Sequence, residues 1–123
     1  MIQIDYKSHK SIYEQIVDQI KYNTIKGYLK PGDAIPSIRK MALMIQVTPT
    51  TVAKAYQELE RQQIIETIRG KGTFIAQQLT IQPDKAAVEK ARGNLESVLM
   101  EFKLLGVDTQ QMIEIATEIY KSL

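Results

Sequence analysis

Hydrophobic side chains recur at helical spacing near the start of the chain. Ile12, Ile16 and Ile20 fall on one face, and this pattern predicts a helix from about Ser11 to Lys26. A serine at the first position can accept a hydrogen bond from the free N–H groups of the first turn, so we expect Ser11 to be the N-cap.

Two shorter helices are predicted after the turn-rich segment Leu29–Pro36. The first begins at Ser37, its expected N-cap, and has apolar residues at helical spacing: Ile38, Met41, Ala42 and Ile45. The second has Thr48 as N-cap and Pro49 at its first position, where the missing N–H costs nothing. Its apolar face consists of Val52, Ala55, Tyr56 and Leu59. Two short helices with so short a link form a candidate helix-turn-helix.

The hydrophobic period changes beyond Gln63. The β-prone runs 64–68 and 73–76 flank the sequence Arg69-Gly70-Lys71-Gly72, which predicts a hairpin with a basic, glycine-rich tip. After a helix-turn-helix, such a hairpin is the wing of a winged helix. We also expect Ile2–Asp5 to add a short edge strand.

The second half of the chain again has a helical pattern. A polar connection at 77–83 separates it from the first half, which predicts a winged-helix domain at 10–78 and a two-helix segment at 79–123. Within the first domain the helix-turn-helix spans about 38–57 and the wing 64–76. One C-terminal helix is expected from Asp84 to Leu105, and Asp108 or Thr109 caps the other. The predicted fold class is therefore α+β.

The two C-terminal helices have an apolar stripe that a helical hairpin is too small to bury alone. The stripe comprises Val88, Leu95, Val98, Leu99, Phe102, Ile113, Ile115, Ile119 and Leu123. A second copy of the same hairpin would cover it in a two-fold symmetric bundle, which predicts a homodimer. An unidentified small-molecule effector, bound between this stripe and the first domain, is an alternative compatible with the dimer.

Composition narrows the classes of function. The chain has 123 residues, of which 44% are hydrophobic and 24% charged, as in a globular protein. It has no cysteine and one histidine, His9, which removes thiolate metal sites, cysteine nucleophiles and Ser-His-Asp triads. We therefore expect neither an enzyme nor a cofactor. The chain has no long apolar run and no secretory signal at its start, so we expect a cytoplasmic protein without a membrane partner.

Charge is distributed unevenly along the chain. The formal net charge is +2, with about +4 on residues 1–76 and about −2 on residues 77–123. A basic first half and an acidic second half indicate that the first half meets an anion, such as nucleic acid.

In a helix-turn-helix, the second helix enters the major groove of DNA and its N-terminal residues reach base edges. The residues of this helix that point away from the core are Thr50, Thr51, Lys54, Gln57 and Arg61. Threonines in the first turn can bind a phosphate or a base, and Lys54 can reach guanine or the backbone. On the preceding helix Arg39 points outward, and its guanidinium can bind phosphate or guanine bidentately. The alternative for each is an ordinary solvent-facing side chain.

The wing completes the predicted DNA interface. Its two glycines let the backbone approach a groove wall, and its two cations suit phosphates. The predicted DNA-binding set is Ser37, Arg39, Thr48, Thr50, Thr51, Lys54, Arg69, Gly70, Lys71 and Gly72.

Four motifs carry a family resemblance. They are Pro31-Gly32-Asp33, Ile35-Pro36-Ser37-Ile38-Arg39-Lys40-Met41-Ala42, Val47-Thr48-Pro49-Thr50-Thr51-Val52 and Arg69-Gly70-Lys71-Gly72-Thr73-Phe74. Their order and spacing over residues 10–78 resemble the winged helix of GntR-type regulators. The segment Val52-Ala53-Lys54-Ala55-Tyr56 and the short two-helix tail resemble the YtrA subfamily.

The resemblance implies a bacterial-type transcriptional regulator, usually a repressor, that binds a double-stranded, inverted-repeat operator as a homodimer. It carries family contact positions over to Arg39, Thr50, Thr51, Gly70 and Lys71. Larger relatives have an effector-binding or aminotransferase-like domain, for which the 47 residues after position 76 are too few. A winged helix used for protein interaction and a small-molecule sensor remain the alternatives.

The sequence departs from the family pattern at a few positions. Other branches have arginine where this chain has Pro49 and Ala53, so their operator sequences do not transfer. Glycine is usual where Gln46 and Gln63 stand, just after each helix of the helix-turn-helix. We expect these glutamines to adopt the left-handed backbone conformation at some energetic cost.

Overall fold

The structure of the protein is a computed structural model, which describes residues 2–77 and 85–123. The chain divides into two units, Met1–Thr80 and Ile81–Leu123. The first contains, in chain order, α1 (Ile12–Ile25), β1 (Ala34–Ile35), α2 (Ile38–Ile45), α3 (Pro49–Arg61), β2 (Ile65–Ile68) and β3 (Gly72–Ile75). The second contains α4 (Lys85–Leu104) and α5 (Thr109–Ser122). The α+β class is confirmed; the expected helix start at Asp84 and the domain boundary at 78/79 lie outside the described residues.

The three predicted N-caps of the first unit are confirmed. The side chain of Ser11 accepts a hydrogen bond from Glu14 N–H at 3.4 Å, and that of Ser37 accepts one from Lys40 N–H at 3.1 Å. Thr48 caps α3 in the same way, through Thr51. Each cap satisfies a backbone donor that the first helical turn leaves free, which fixes where each helix begins.

The expected left-handed residues are also confirmed. Gln46, at the C-terminus of α2, has φ 57°, and Gln63, just beyond α3, has φ 61°. A residue with a side chain pays about 1–2 kcal/mol for this conformation. A backbone hydrogen bond to the end of the preceding helix offsets this cost at each position. Val47 N–H donates to Ala42 O at 3.1 Å, and Ile64 N–H donates to Leu59 O at 2.9 Å.

The core of the first unit forms where α1 and α2 each pack against α3, which also contacts β2. Its fully buried side chains come from every helix and from the wing: Ile16, Ile20, Met41, Val52, Leu59 and Ile75. The predicted apolar face of α3 is buried throughout. On α2 the prediction fails at Ile38, which is 36% exposed because it lies in the first turn, at the rim of the core.

The sheet differs from the prediction at its edge. Its order is β1-β3-β2, with both pairs antiparallel, and β1 pairs Ala34 with Phe74. The expected edge strand at Ile2–Asp5 is wrong, because those residues do not join the sheet. The edge strand lies instead in the segment that the sequence predicted as a turn-rich connection.

Two glutamines on α1 explain why the N-terminal segment stays out of the sheet. The side-chain amide of Gln19 accepts from Gln3 N–H at 2.8 Å and donates to Gln3 O at 2.6 Å. That of Gln15 accepts from Asp5 N–H at 2.8 Å and donates to Asp5 O at 2.9 Å and Lys10 O at 3.0 Å. These side chains satisfy backbone groups that a neighbouring strand would otherwise pair.

The C-terminal unit is two helices joined by a tight turn. Gly106 has φ +80°, and Asp108 starts α5 with a reciprocal capping box in which Gln111 binds back to its backbone. No described residue of either helix is buried. Most of the predicted apolar stripe is therefore open to solvent; its exposed members include Val88, Leu95, Val98, Ile113 and Ile119.

Tyr56 provides a test of how α2 and α3 are held together. Its side chain is 2% exposed, and its hydroxyl donates to Pro36 O at 2.5 Å; burial raises the pKa of Tyr56 to about 12. Tyr56→Phe leaves that carbonyl without its partner, so we expect a loss of about 1 kcal/mol in the free energy of unfolding. Urea unfolding followed by circular dichroism measures it. Tyr28→Phe, at an exposed position, should change nothing, and equal stability of both variants would contradict the role of this bond.

Candidate nucleic-acid interface

The first turn of α2 presents Arg39 to solvent. Ser37 caps the helix two residues earlier, and the hydrogen bond from Tyr56 on α3 holds Pro36, immediately before the cap. This bond fixes the start of α2 against the middle of α3. Arg39 is exposed, as predicted, and the turn that carries it is anchored from both sides.

The first turn of α3 presents three threonines in different states. The hydroxyls of Thr48 and Thr51 lie 2.9 Å apart and hydrogen-bond each other, and Thr51 is half-buried. Thr50 is exposed, and its hydroxyl has no hydrogen-bond partner among the described residues. Thr50 therefore has the hydroxyl most available to an external partner, next to the unpaired N–H groups of the helix start.

Lys54, one turn further along α3, is exposed but not freely extended. Its ammonium nitrogen lies 4.1 Å from the centroid of the Tyr13 ring, which belongs to α1. This separation is that of a cation–π contact. The sequence placed Tyr13 beside the apolar face of α1 and gave no signal for the contact, because it joins residues far apart in the chain.

The end of α3 carries an internal ion pair. Both Nε and Nη2 of Arg61 donate to the carboxylate of Glu58, at 3.0 and 2.7 Å. The hydrogen bond from Arg61, followed by one from Gln62, lowers the pKa of Glu58 to about 2. Arg61 points outward as predicted, but the Glu58 carboxylate compensates its charge.

The wing tip is an exposed three-residue loop between β2 and β3. Lys71 N–H donates to Ile68 O at 2.9 Å and closes the loop, while Gly70 has φ +80°, which a side chain would strain. At its base, the Thr67 hydroxyl donates to Glu60 of α3 at 2.6 Å. This bond links the wing to the helix that carries the threonines.

Four exposed cations of this surface have no carboxylate at ion-pair distance among the described residues. Among the described residues, ion pairs join Lys10 to Asp18 and Arg61 to Glu58. In the same part of the chain no carboxylate lies at ion-pair distance from the exposed cations Arg39, Lys54, Arg69 and Lys71. These four positive charges are therefore available to an anionic partner.

Neither a metal-binding group nor a membrane-spanning helix is found in the part of the chain that the structure describes. Within 2–77 and 85–123, no group of three or more histidine, cysteine, aspartate or glutamate residues could hold a metal ion. The helices in the same ranges include none that is both long and apolar enough to cross a membrane.

A helix-turn-helix followed by a basic wing defines a winged-helix domain, a class whose second helix reads DNA. The profile of the family described as "Bacterial regulatory proteins, gntR family" matches residues 12–75. The chain belongs to the GntR family. It is 41% identical over 119 residues to the HTH-type transcriptional repressor YtrA of Bacillus subtilis, covering 97% of this chain and 92% of the relative.

Solved structures agree with this assignment. A protein described as a transcriptional antiterminator from Listeria monocytogenes superposes with a TM-score of 0.82 at 43% identity, covering 98% of this chain and 90% of the other. The AraR DNA-binding domain in complex with operator ORE1 superposes with a TM-score of 0.53 at 25% identity, covering 59% of this chain and 89% of that domain.

These similarities decide between the functions that the sequence left open. The chain is a DNA-binding transcriptional regulator, not an enzyme, since its relatives are named as regulators and a similar domain is solved on operator DNA. A winged helix that binds only other proteins is thereby rejected.

Lys71 and Thr50 allow a test that separates charge from sequence reading. We expect Lys71→Ala to weaken binding to operator and random duplexes alike, and to reduce the slope of log K against log salt by about 0.9 per lost phosphate contact. Thr50→Ala should alter the preference between sequences while leaving the salt slope unchanged. Fluorescence anisotropy at several salt concentrations measures both. If Lys71→Ala changed sequence preference but not the slope, the two roles would be reversed.

Proposed function

We propose that the protein is a homodimeric repressor that binds an inverted-repeat operator in the cytoplasm. The observation that carries the proposal is the combination of an anchored, uncompensated basic surface on α2, α3 and the wing with two C-terminal helices whose apolar faces are left uncovered. The first supplies contacts to one half-site. The second supplies the means of joining two such domains.

We propose that the residues of the DNA-binding set contact different parts of the DNA according to their position. Arg39 and Thr50 reach base edges in the major groove, Lys54 and Lys71 bind phosphates or acceptor groups beside them, and the backbone at Gly70 follows the groove wall. Ser37 and Thr48 contribute through their caps, which direct the free N–H groups of two helix starts toward phosphate.

The apolar faces of the tail support a dimer. Val88, Leu95, Val98, Ile113 and Ile119 are each 44–57% exposed. Leu99 and Phe102 are half-buried. Burying apolar surface yields about 25 cal/mol per Å², so faces of this extent favour a partner in water. A second copy supplies identical, self-complementary faces. It also relates the two copies of α3, the recognition helices, by a two-fold axis.

The two-fold axis sets the operator geometry. Two recognition helices related by it meet half-sites about 34–36 Å apart, or a multiple of that distance. A small-molecule effector bound against the same apolar faces is compatible with this arrangement, and release from DNA on adding the ligand would reveal it.

A mobility-shift assay tests the proposal. The probe is a duplex from the promoter immediately upstream of the protein's own gene that contains an inverted repeat. The control duplex has one half-site scrambled at unchanged composition. We expect a complex of two chains on the intact repeat and much weaker binding to the control. Equal binding to both would exclude sequence-specific recognition of the repeat, and a complex of one chain would exclude the dimer.

A further inference from the structure

The contact between Tyr13 and Lys54 joins the first helix to the recognition helix. Tyr13 is half-buried and packs against the core, so its ring is fixed by the fold. Lys54 is exposed, and its ammonium nitrogen lies 4.1 Å from the ring centroid, well inside the distance at which a ring attracts a cation. A rigid ring thus faces a flexible charge.

Lysine is ordinarily a poor choice for a preordered contact. Its four-carbon stem has many rotamers, and fixing them on binding costs affinity. A cation–π contact at an exposed site is worth about two- to fivefold in an equilibrium constant, which is enough to favour one placement of the ammonium before DNA arrives.

The contact leaves the charge available. An ammonium has three N–H donors, and a ring below it engages one side only. Lys54 remains exposed and lies one turn along the helix from Thr50 and Thr51, on the predicted DNA-reading side. The ring can therefore hold the ammonium while it donates to a phosphate or a base acceptor.

We propose that Tyr13 is a positioning residue for DNA binding, whose ring holds the Lys54 ammonium beside the first turn of the recognition helix. The inference rests on the proposed placement of Lys54 at the DNA interface. It assigns a role in affinity to a residue on α1, outside the helix-turn-helix.

A double-mutant cycle on the full chain tests the proposal. Tyr13→Leu keeps an apolar side chain but removes the aromatic face, and Lys54→Met removes the charge. The third variant combines the two changes. Binding is measured by anisotropy on the labelled promoter duplex and on a random-sequence duplex. We expect Tyr13→Leu to weaken binding about two- to fivefold in the parent chain, and not at all when Lys54→Met is present.

Tyr13→Phe is the matched control. It keeps the ring face and removes only the hydroxyl, so we expect binding within about twofold of the parent chain. A loss as large as that of Tyr13→Leu would mean that the hydroxyl itself contacts DNA, and would overturn the positioning role.

A spectroscopic readout is independent of DNA. In the free protein, the ring current of Tyr13 should shift the ε-methylene protons of Lys54 upfield in the NMR spectrum. We expect Tyr13→Phe to retain this shift and Tyr13→Leu to abolish it. An unshifted resonance in the parent chain would overturn the proposal whatever the binding data show. The resonance of the parent chain and the binding of Lys54→Met, a change at an exposed position, remain measurable even if Tyr13→Leu lowers stability.

The outcomes separate two failures. If Lys54→Met leaves affinity and salt slope unchanged, Lys54 does not contact DNA and its assignment to the interface is wrong. If Lys54→Met weakens binding and Tyr13→Leu weakens it equally in both backgrounds, the interface stands and only the positioning role fails.

Discussion

Arg39→Ala should abolish most sequence-specific binding while leaving the protein folded. Arg39 is exposed in the first turn of α2, makes no ion pair among the described residues, and lies on the opposite side of the helix from Met41, which is buried. We therefore expect stability to change by less than about 0.5 kcal/mol. Loss of a bidentate contact should cost about 1–3 kcal/mol per half-site, roughly 5- to 150-fold in affinity.

Arg39→Lys provides the matched comparison. It retains the charge but not the planar guanidinium that donates two parallel hydrogen bonds. The slope of log K against log salt should therefore equal that of the parent chain, while the affinity should lie between those of the parent chain and Arg39→Ala. Isothermal titration at fixed salt and a thermal melt of each variant are the measurements. An unchanged affinity in Arg39→Ala would remove this residue from the interface.

Phe102→Glu should separate the two protomers and weaken operator binding by about 10²–10⁴-fold, because the second half-site then gains nothing from the first. Phe102 is half-buried on the apolar face of α4, where a carboxylate would have to lose its water to enter an interface. Light scattering measures the oligomeric state, and anisotropy measures the affinity.

Ser97→Glu is the control for this change. It adds the same charge on the opposite side of α4, at an exposed position, and should leave both the dimer and the affinity intact. A chain that ends at Gln78 should behave as Phe102→Glu does. A parent protein that is monomeric at micromolar concentration and still binds with full affinity would refute the arrangement.

Local sequence patterns predicted the structural features that depend on interactions between residues close together in the chain. Ser11, Ser37 and Thr48 cap their helices because a short polar side chain satisfies N–H groups within three residues of itself. The apolar face of α3 follows from spacing alone, and the basic wing from two β-prone runs around two glycines. The family motifs then fixed how these elements assemble.

Contacts between distant segments were beyond the reach of the sequence. The edge strand at Ala34–Ile35 was missed because two residues carry no periodicity, and its identity depends on pairing with β3 forty residues away. Ile2–Asp5 has a strand-like pattern, but Gln15 and Gln19 of α1 satisfy its backbone instead. The apolar stripe of the tail follows from helical spacing, but what covers it depends on contacts that spacing does not encode.

The sequence by itself determined the class of the protein and the residues that we propose for DNA binding, since caps, helical spacing and motif order are properties of neighbouring positions. The tertiary structure alone decided which of those residues are already engaged. Thr51 shares its hydrogen bond with Thr48, Arg61 is paired with Glu58, and the Lys54 ammonium lies over the Tyr13 ring. Such engagement depends on where flexible side chains meet after the helices have packed, and spacing along a chain does not encode that distance.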